Sequence, residues 1–530
     1  MTNLLHFNGI IPQTINFNGA PVSSVYFNNN WVWGISDPWE ELAAKHSALV
    51  LVSPEYFYFD LDNHMTWDGD LEYSLDMGET WKTFNFLGGG PNIVTQKVKA
   101  ILIDGNYTIL LRGIGNTHLA NSNLSTVNNF GFRCVAYGYI RCFGNVETLL
   151  DYETVRAGKH PPMGDYCYSD LFYGWRLIQA PRLPATTLTP FCYYRMFGDC
   201  PLTKAPELSA TTLAERCYEE MFYGCDFLIE APKLPATEVA EYCYRRMFNG
   251  CTSLAKAPEL PATTLAEGCY HSMFWYCASL TEAPELPATE LAERCYLEMF
   301  RGCPLTEAPE LPAIILAEYC YQGMFFNCNS LTKAPELPAT TLAEYCYFEM
   351  FNGCDSLTEA PELPATTLAE GCYRGMFNGC DNLVKAPSEL PATILVEECY
   401  RSMFASCMSL ENVPKISATS MEKTAGMACW FMFDNCSNLI SLPALYATEI
   451  AVVKYGNDIE YVEYHAYDYM FYDCPKIKIS ETRTDECPNE YRVPITGVGT
   501  TTKGLKYLGI FHPLGIYINQ TYYTNATVIY

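Results

Sequence analysis

The stretch Leu357-Thr358-Glu359-Ala360-Pro361-Glu362-Leu363-Pro364-Ala365-Thr366-Thr367-Leu368-Ala369-Glu370-Gly371-Cys372-Tyr373-Arg374-Gly375-Met376-Phe377-Asn378-Gly379-Cys380 decides how the whole chain is read. Its second half carries the signature Cys-Tyr-x-x-Met-Phe-x-x-Cys. First cysteines of that signature fall at Cys192, Cys217, Cys243, Cys269, Cys295, Cys320, Cys346, Cys372 and Cys399, in steps of 25 to 27 residues. The second cysteine follows eight residues later in all nine units, from Cys200 to Cys407. Degenerate copies flank the run: Cys167-Tyr168 with Leu171-Phe172 opens it, Cys429 and Cys436 continue it, and Tyr469-Met470-Phe471 with Cys474 closes it. Self-similarity at a fixed period of about 20–50 residues marks a stack of units, with atypical copies at the ends as caps.

The punctuation of one unit sets its local conformation. Pro361 and Pro364 deny the first half a helix and favour an extended path. The second half lacks proline and places apolar residues at i, i+4, i+5, i+8 and i+9 from Leu368. That spacing predicts a short helix over 368–377, stopped by Asn378-Gly379. One unit covers too little apolar surface to fold alone, so stability comes from stacking on neighbours.

The Cys-Tyr-x-x-Met-Phe segment, the closing Asn-Gly-Cys, Ser356-Leu357 and the Leu-Pro-Ala-Thr step resemble the leucine-rich-repeat-like units of the BspA type. Such units occur in surface proteins of gut bacteria and in their phages. The resemblance covers about 310 of the 530 residues. It implies a scaffold for adhesion or recognition, with no catalytic residue in the motif. The expected fold is α+β: a right-handed leucine-rich-repeat-like solenoid of about twelve repeats, each ~26 residues, over 161–475.

Columns follow from stacking, because equivalent residues of successive units lie side by side. Cysteines at x7 spacing without histidine fit no zinc motif and read as small buried thiols, with stray disulfides as the alternative. The tyrosine after each first cysteine reads as core with a hydrogen-bonded hydroxyl, ahead of a carbohydrate-stacking stripe. Glu215, Glu241, Glu267, Glu293, Glu318, Glu344 and Glu370 form an acidic ladder. This is the candidate binding feature, read first as a solvated face and second as a site for divalent cations or a cationic partner. No cofactor or metal is expected.

Three segments flank the solenoid. Residues 1–35 repeat Phe7-Asn8-Gly9, Phe17-Asn18-Gly19 and Phe27-Asn28-Asn29 at a period of ten, then Trp31 and Trp33, and read as short β-hairpins. The segment resembles N-terminal attachment segments of phage tail and fibre proteins, which makes Phe7, Phe17, Phe27, Trp31 and Trp33 candidate attachment residues. Residues 36–160 read as a β-sandwich-like, all-β domain with a hairpin turning near Asp76-Met77-Gly78. Residues 476–530 read as a C-terminal β-rich cap or tip.

Charge and missing signatures bound the function. The formal charge of −27 repels phosphate backbones and anionic membranes, so nucleic acid is excluded as a partner. No apolar run of about eighteen residues occurs, and residues 1–9 show no leader pattern. The chain is therefore expected to be made in a cytoplasm and to leave by another route, without membrane insertion. No phosphate loop, His-Glu-x-x-His or Gly-x-Ser-x-Gly motif appears, and no enzyme is expected. Ranked first is a virion protein of a tailed bacteriophage, present in many copies or as a homo-oligomer. Residues 1–35 would join it to other virion proteins, and the repeat surface would meet a host protein or glycan. A bacterial cell-surface adhesin of the same repeat family ranks second, and a polysaccharide depolymerase third.

Overall fold

The structure, a computed structural model, describes residues 37–61, 68–84, 96–119, 132–422, 425–440, 470, 471 and 474, and the backbone of short strands elsewhere. Phe7 and most of 476–530, with the proposed cap, lie outside the described residues. The chain divides into two compact units, 1–235 and 236–530.

In the first unit, two hairpins come first. Strands β1 (Ile15–Phe17) and β2 (Ala20–Val22) pair antiparallel, and so do β3 (Ser24–Phe27) and β4 (Asn30–Gly34). Helix α1 (Pro38–His46) follows, started by the Asp37 carboxylate accepting from the Trp39 amide at 3.0 Å and by Pro38 in the first turn. Strands β5 (Leu49–Ser53), β6 (Phe57–Leu61), β7 (Asp70–Ser74), β8 (Lys82–Thr83), β9 (Gln96–Lys99), β10 (Ile101–Ile103), β11 (Asn106–Ile114), β12 (Phe132–Ala136) and β13 (Ile140–Phe143) come next. They are followed by α2 (Thr148–Arg156) and β14 (Leu177–Gln179).

The larger sheet has the order β14-β13-β5-β11-β7-β8, with β10 also on β11; β12-β6-β9 form a second, antiparallel sheet. Trp39 and Ala43 of α1 pack on Val50, Val52, Leu110 and Phe143. The two helices depart from the all-β expectation. The strand signals were strong enough to hide α1, whose apolar positions are few and whose evidence lies in its cap. Strand β14 already belongs to the repeat region and lies parallel to β13, so the sheet runs on into the first coils.

The second unit shows the repeat most fully, and the helix expected over 368–377 is absent. The Cys372, Arg374, Met376 and Asn378 amides donate to Ala369, Gly371, Tyr373 and Gly375 carbonyls at 3.0–3.3 Å, a chain of overlapping turns. Amides of the alternate residues Gly371, Tyr373, Gly375 and Phe377 donate instead to Glu397, Cys399, Arg401 and Met403 of the next coil at 2.8–3.0 Å. An α-helix keeps every amide within itself and needs φ near −63° throughout. Here every fourth residue is left-handed: Gly371 (φ 57°), Gly375 (φ 60°) and Gly379 (φ 72°), matched by Tyr345, Glu349 and Gly353 one coil earlier. Half the turn amides thereby tie each coil to its neighbour.

The other side of each coil is extended and joined by parallel bridges, Thr341 to Thr367 and Glu359 to Lys385 among them. Strands β15 (Glu389–Leu390) and β16 (Ile394–Leu395) pair in parallel with β17 (Lys415–Ile416) and β18 (Ser420–Met421) of the following coil. Between these two sides lie the columns. Cys372, Met376, Phe377 and Cys380 have no exposed surface, and their equivalents in every regular unit are equally buried. Phe325, Phe351 and Phe377 stack with ring centres 5.5 Å apart and planes within 7°; Tyr321 and Tyr347 stack at 5.8 Å.

Every described cysteine is a free thiol, and all but Cys134 are buried. The second-column thiols also have a hydrogen-bonding role: Cys328, Cys354 and Cys380 donate through Sγ to the Phe300, Phe325 and Phe351 carbonyls of the preceding coil at 3.1 Å. The first unit repeats this, with Cys225 donating to the Phe197 carbonyl at 3.1 Å. The expected hydroxyl bond is not general in the tyrosine column, since the buried Tyr193 hydroxyl has no partner among the described residues.

Candidate recognition surface

The nine regular units share Cys, Tyr, Met, Phe and Cys without exception, all buried. The x positions between them vary from unit to unit. Directly after the tyrosine stand Tyr194, Glu219, Arg245, His271, Leu297, Gln322, Phe348, Arg374 and Arg401. Directly after the phenylalanine stand Gly198, Tyr223, Asn249, Trp275, Arg301, Phe326, Asn352, Asn378 and Ala405. The turns carry these side chains to the coil's outer edge, where most are half-buried. A constant interior thus supports a varied outer face.

In the second unit that face holds guanidinium groups interleaved with aromatic rings. Arg246 and Arg301 lie 5.7 and 5.3 Å from the Trp275 ring centre, and Arg301 lies 4.0 Å from Phe326. Arg374 lies 5.1 Å from Phe348, and Arg401 lies 4.4 Å from Trp430. Glutamates fix the cations: Glu298 pairs with Arg301, and Glu398 pairs with Arg401 and, at 2.6 Å, with Arg374. Burial pushes the Glu349 carboxyl up against the pull of Arg374 and Arg301. Tyr276 stands beside Trp275 with about half its surface exposed (51%). In the first unit Arg195 lies 4.2 Å from the Tyr173 ring and within 3.5 Å of Asp170. Aromatic rings and arginines held in place by neighbours are the side chains that dominate binding at protein surfaces.

The acidic ladder lies on an adjoining edge, with each glutamate exposed or half-buried. Its members are not brought together as a ligand set. Glu215 pairs with Arg216 at 3.4 Å, Glu267 and Glu293 share Arg294, and Glu370 accepts from the Tyr345 hydroxyl at 2.6 Å. Tyr242 donates likewise to Glu267. Among the described residues, no three acidic, histidine or cysteine side chains converge as for a metal ion. Phe17, Phe27, Trp31 and Trp33 fall within or at the ends of the hairpin strands β1, β3 and β4. The ladder was visible in sequence because it repeats; the outer face was missed because it does not. Its signal was the contrast between fixed and free positions inside one motif.

Parallel coils closed by an apolar column, with side chains varied on the outer turns, define a leucine-rich-repeat-like stack. No protein-family profile and no curated protein sequence matches the chain. Two solved structures are similar to it. One is a leucine-rich repeat protein from Bacteroides ovatus, 16% identical over 44% of this chain and 71% of that one, with a TM-score of 0.22. The other is a leucine-rich cell surface protein from Faecalibacterium prausnitzii, 15% identical over 54% and 77%, with a TM-score of 0.26. No helix of the described residues is long and apolar enough to cross a membrane.

Proposed function

We propose that this chain is a non-enzymatic adhesion protein of a bacterial cell surface, and that its varied turn face is where a host protein or glycan binds. One observation carries the reading: within the Cys-to-Cys segment the five residues fixed in nine units are buried, whereas most of the residues between them are half-buried and differ from unit to unit. A scaffold alone needs no such variety, and a catalyst needs one constellation rather than a graded surface. The Arg246, Trp275, Arg301 and Phe326 run is the centre of the face, since its rings and cations are pre-ordered by one another.

The cell-surface setting asks only for the repeats. The virion setting, ranked first from sequence, also needs residues 1–35 to dock on another protein; the hairpins β1–β4 are its support. Immunogold labelling of intact bacteria and of purified phage particles separates the two. Label on the bacterial envelope is expected; label on particles alone would transfer the protein to the virion. Adhesion of beads coated with the full chain to host cells should fall when Arg301→Glu and Trp275→Ala are combined. Unchanged adhesion would remove the turn face from the proposal.

A further inference from the structure

A second site lies in the first unit, away from the turn face. Where the large sheet meets the first coils, a cavity of about 620 Å³ is lined by Tyr139, Arg141, Gln179, Lys204, Glu207 and Phe227, among others. Its size falls in the range of small-ligand sites, ~300–1,000 Å³. Tyr139 and Phe227 leave more than half their surface open, at 52% and 56%, although aromatic rings gain most from being covered. Arg141 is buried to 5% exposure on β13 and nevertheless lines the cavity.

The backbone is adapted at this place. Ile140 pairs with Leu177, but Arg141 pairs with Gln179, so Ile178 is an extra residue and β14 carries a bulge. Ile178 lines the cavity as well. A bulge re-aims the side chains on either side of it. Here it lets Arg141 and Gln179 sit opposite each other at the cavity.

Charge sets the cavity apart from the rest of the chain. The whole chain carries −27, yet the lining balances one exposed cation, Lys204, against one anion, Glu207, and adds the buried Arg141, whose guanidinium lies 5.5 Å from the Phe143 ring. Two open ring faces suit the flat C–H face of a pyranose, and amide, hydroxyl and carboxylate groups suit its hydroxyls. A peptide added as a strand is disfavoured along 201–206, because Pro201 and Pro206 lack the amides such pairing uses. We propose that this cavity binds an acidic saccharide, its sugar ring against Tyr139 and Phe227 and its carboxylate toward Lys204. The site shares no residue with the turn face, so the two readings stand or fall separately.

The test is isothermal titration calorimetry of the full chain with a galacturonic acid trimer, with maltotriose, and with hexaglutamate. The acidic trimer is expected to bind saturably and at least roughly tenfold more tightly than either of the others. Tyr139→Ala or Phe227→Ala should weaken it by roughly tenfold or more, and Lys204→Glu should do the same without reducing any maltotriose signal. Lys204 is exposed, so Lys204→Glu still decides the matter should a ring substitution disturb folding. The proposal is overturned by no saturable binding of the acidic trimer, by binding that survives all three substitutions, or by maltotriose or hexaglutamate binding as tightly.

Discussion

Phe351→Ala tests whether the columns hold the coils together. Phe351 is fully buried, with Phe325 and Phe377 stacked on either side at 5.5 Å. Truncating a buried phenylalanine costs about 3–5 kcal/mol through lost transfer energy and the cavity left behind. Each near-parallel ring neighbour contributes about 0.5–1.5 kcal/mol beyond area, which places this site at the upper end, about 4–5 kcal/mol. Phe471 is the last ring of the described column and has a stacked neighbour in Phe433 at 5.4 Å, so Phe471→Ala should cost roughly 1 kcal/mol less. A chain of stacked units opens locally, so the assay is native-state hydrogen exchange rather than one global melt. The Phe325 and Phe351 amides, which donate to the Met350 and Met376 carbonyls, should lose protection together. A loss under about 2 kcal/mol at Phe351, or protection falling evenly along the chain, would refute nearest-neighbour stacking as the source of stability.

Gly371→Ala should destabilise its coil by about 1–3 kcal/mol, because φ is 57° there and a β-carbon would run into the Tyr345 ring. Pairing it with Tyr345→Ala should return part of the loss in urea unfolding; no recovery would show that the ring is not the obstacle. Burial holds the Cys354 and Cys380 thiols above their ordinary range, to about 12 for Cys380, so Ellman's reagent at pH 8 should leave both unmodified until urea is added. Rapid native labelling of either would contradict the sealed column. Burial raises Asp170 from the ordinary 3.8 to about 6, against the pull of Arg195. A carboxyl raised on folding stabilises most below its unfolded value, so stability relative to Asp170→Asn should fall as pH rises from about 4 to about 6. A flat difference across that window, followed by urea titration, would mean the carboxyl is solvated.

The period of 25–27 residues and the burial of Cys, Tyr, Met and Phe were legible because each repeats nine times in the chain. The helix was misread for a reason that the same letters contain. Cys372-Tyr373, Met376-Phe377 and Cys380 recur every four residues, as do Gly371, Gly375 and Gly379. A period of four lies close enough to 3.6 to pass as one helical face over two turns. Glycine at the same fourfold spacing points instead to left-handed residues, which no helix interior accepts. Gly268, Gly302, Gly323 and Gly353 carried that signal in other units. The cavity beside β14 was not legible at all. Tyr139 and Phe227 are 88 residues apart in sequence, and only the folded chain brings them to one cavity.

Variety on the turn face is bounded by the coil geometry. At three left-handed positions a tyrosine leans over the equivalent residue of the next coil, which there is glycine. Tyr242 leans toward Gly268, Tyr276 toward Gly302 and Tyr345 toward Gly371, and a β-carbon at any of these glycines would meet the ring. Glycine at φ > 0 has no steric penalty, so one residue type answers both the backbone and its neighbour. Where two aromatic residues do follow one another, Tyr319 and Tyr345, the rings stack face to face at 5.2 Å instead. Neighbouring surface residues are therefore chosen in pairs. A substitution meant to retune recognition at Tyr276 has to be judged with the coil after it: a smaller residue opens space above Gly302, while a larger one at Gly302 displaces Tyr276. Binding specificity and coil stability are coupled at these positions, and double-mutant cycles across adjacent coils should be non-additive there and additive at coils set further apart.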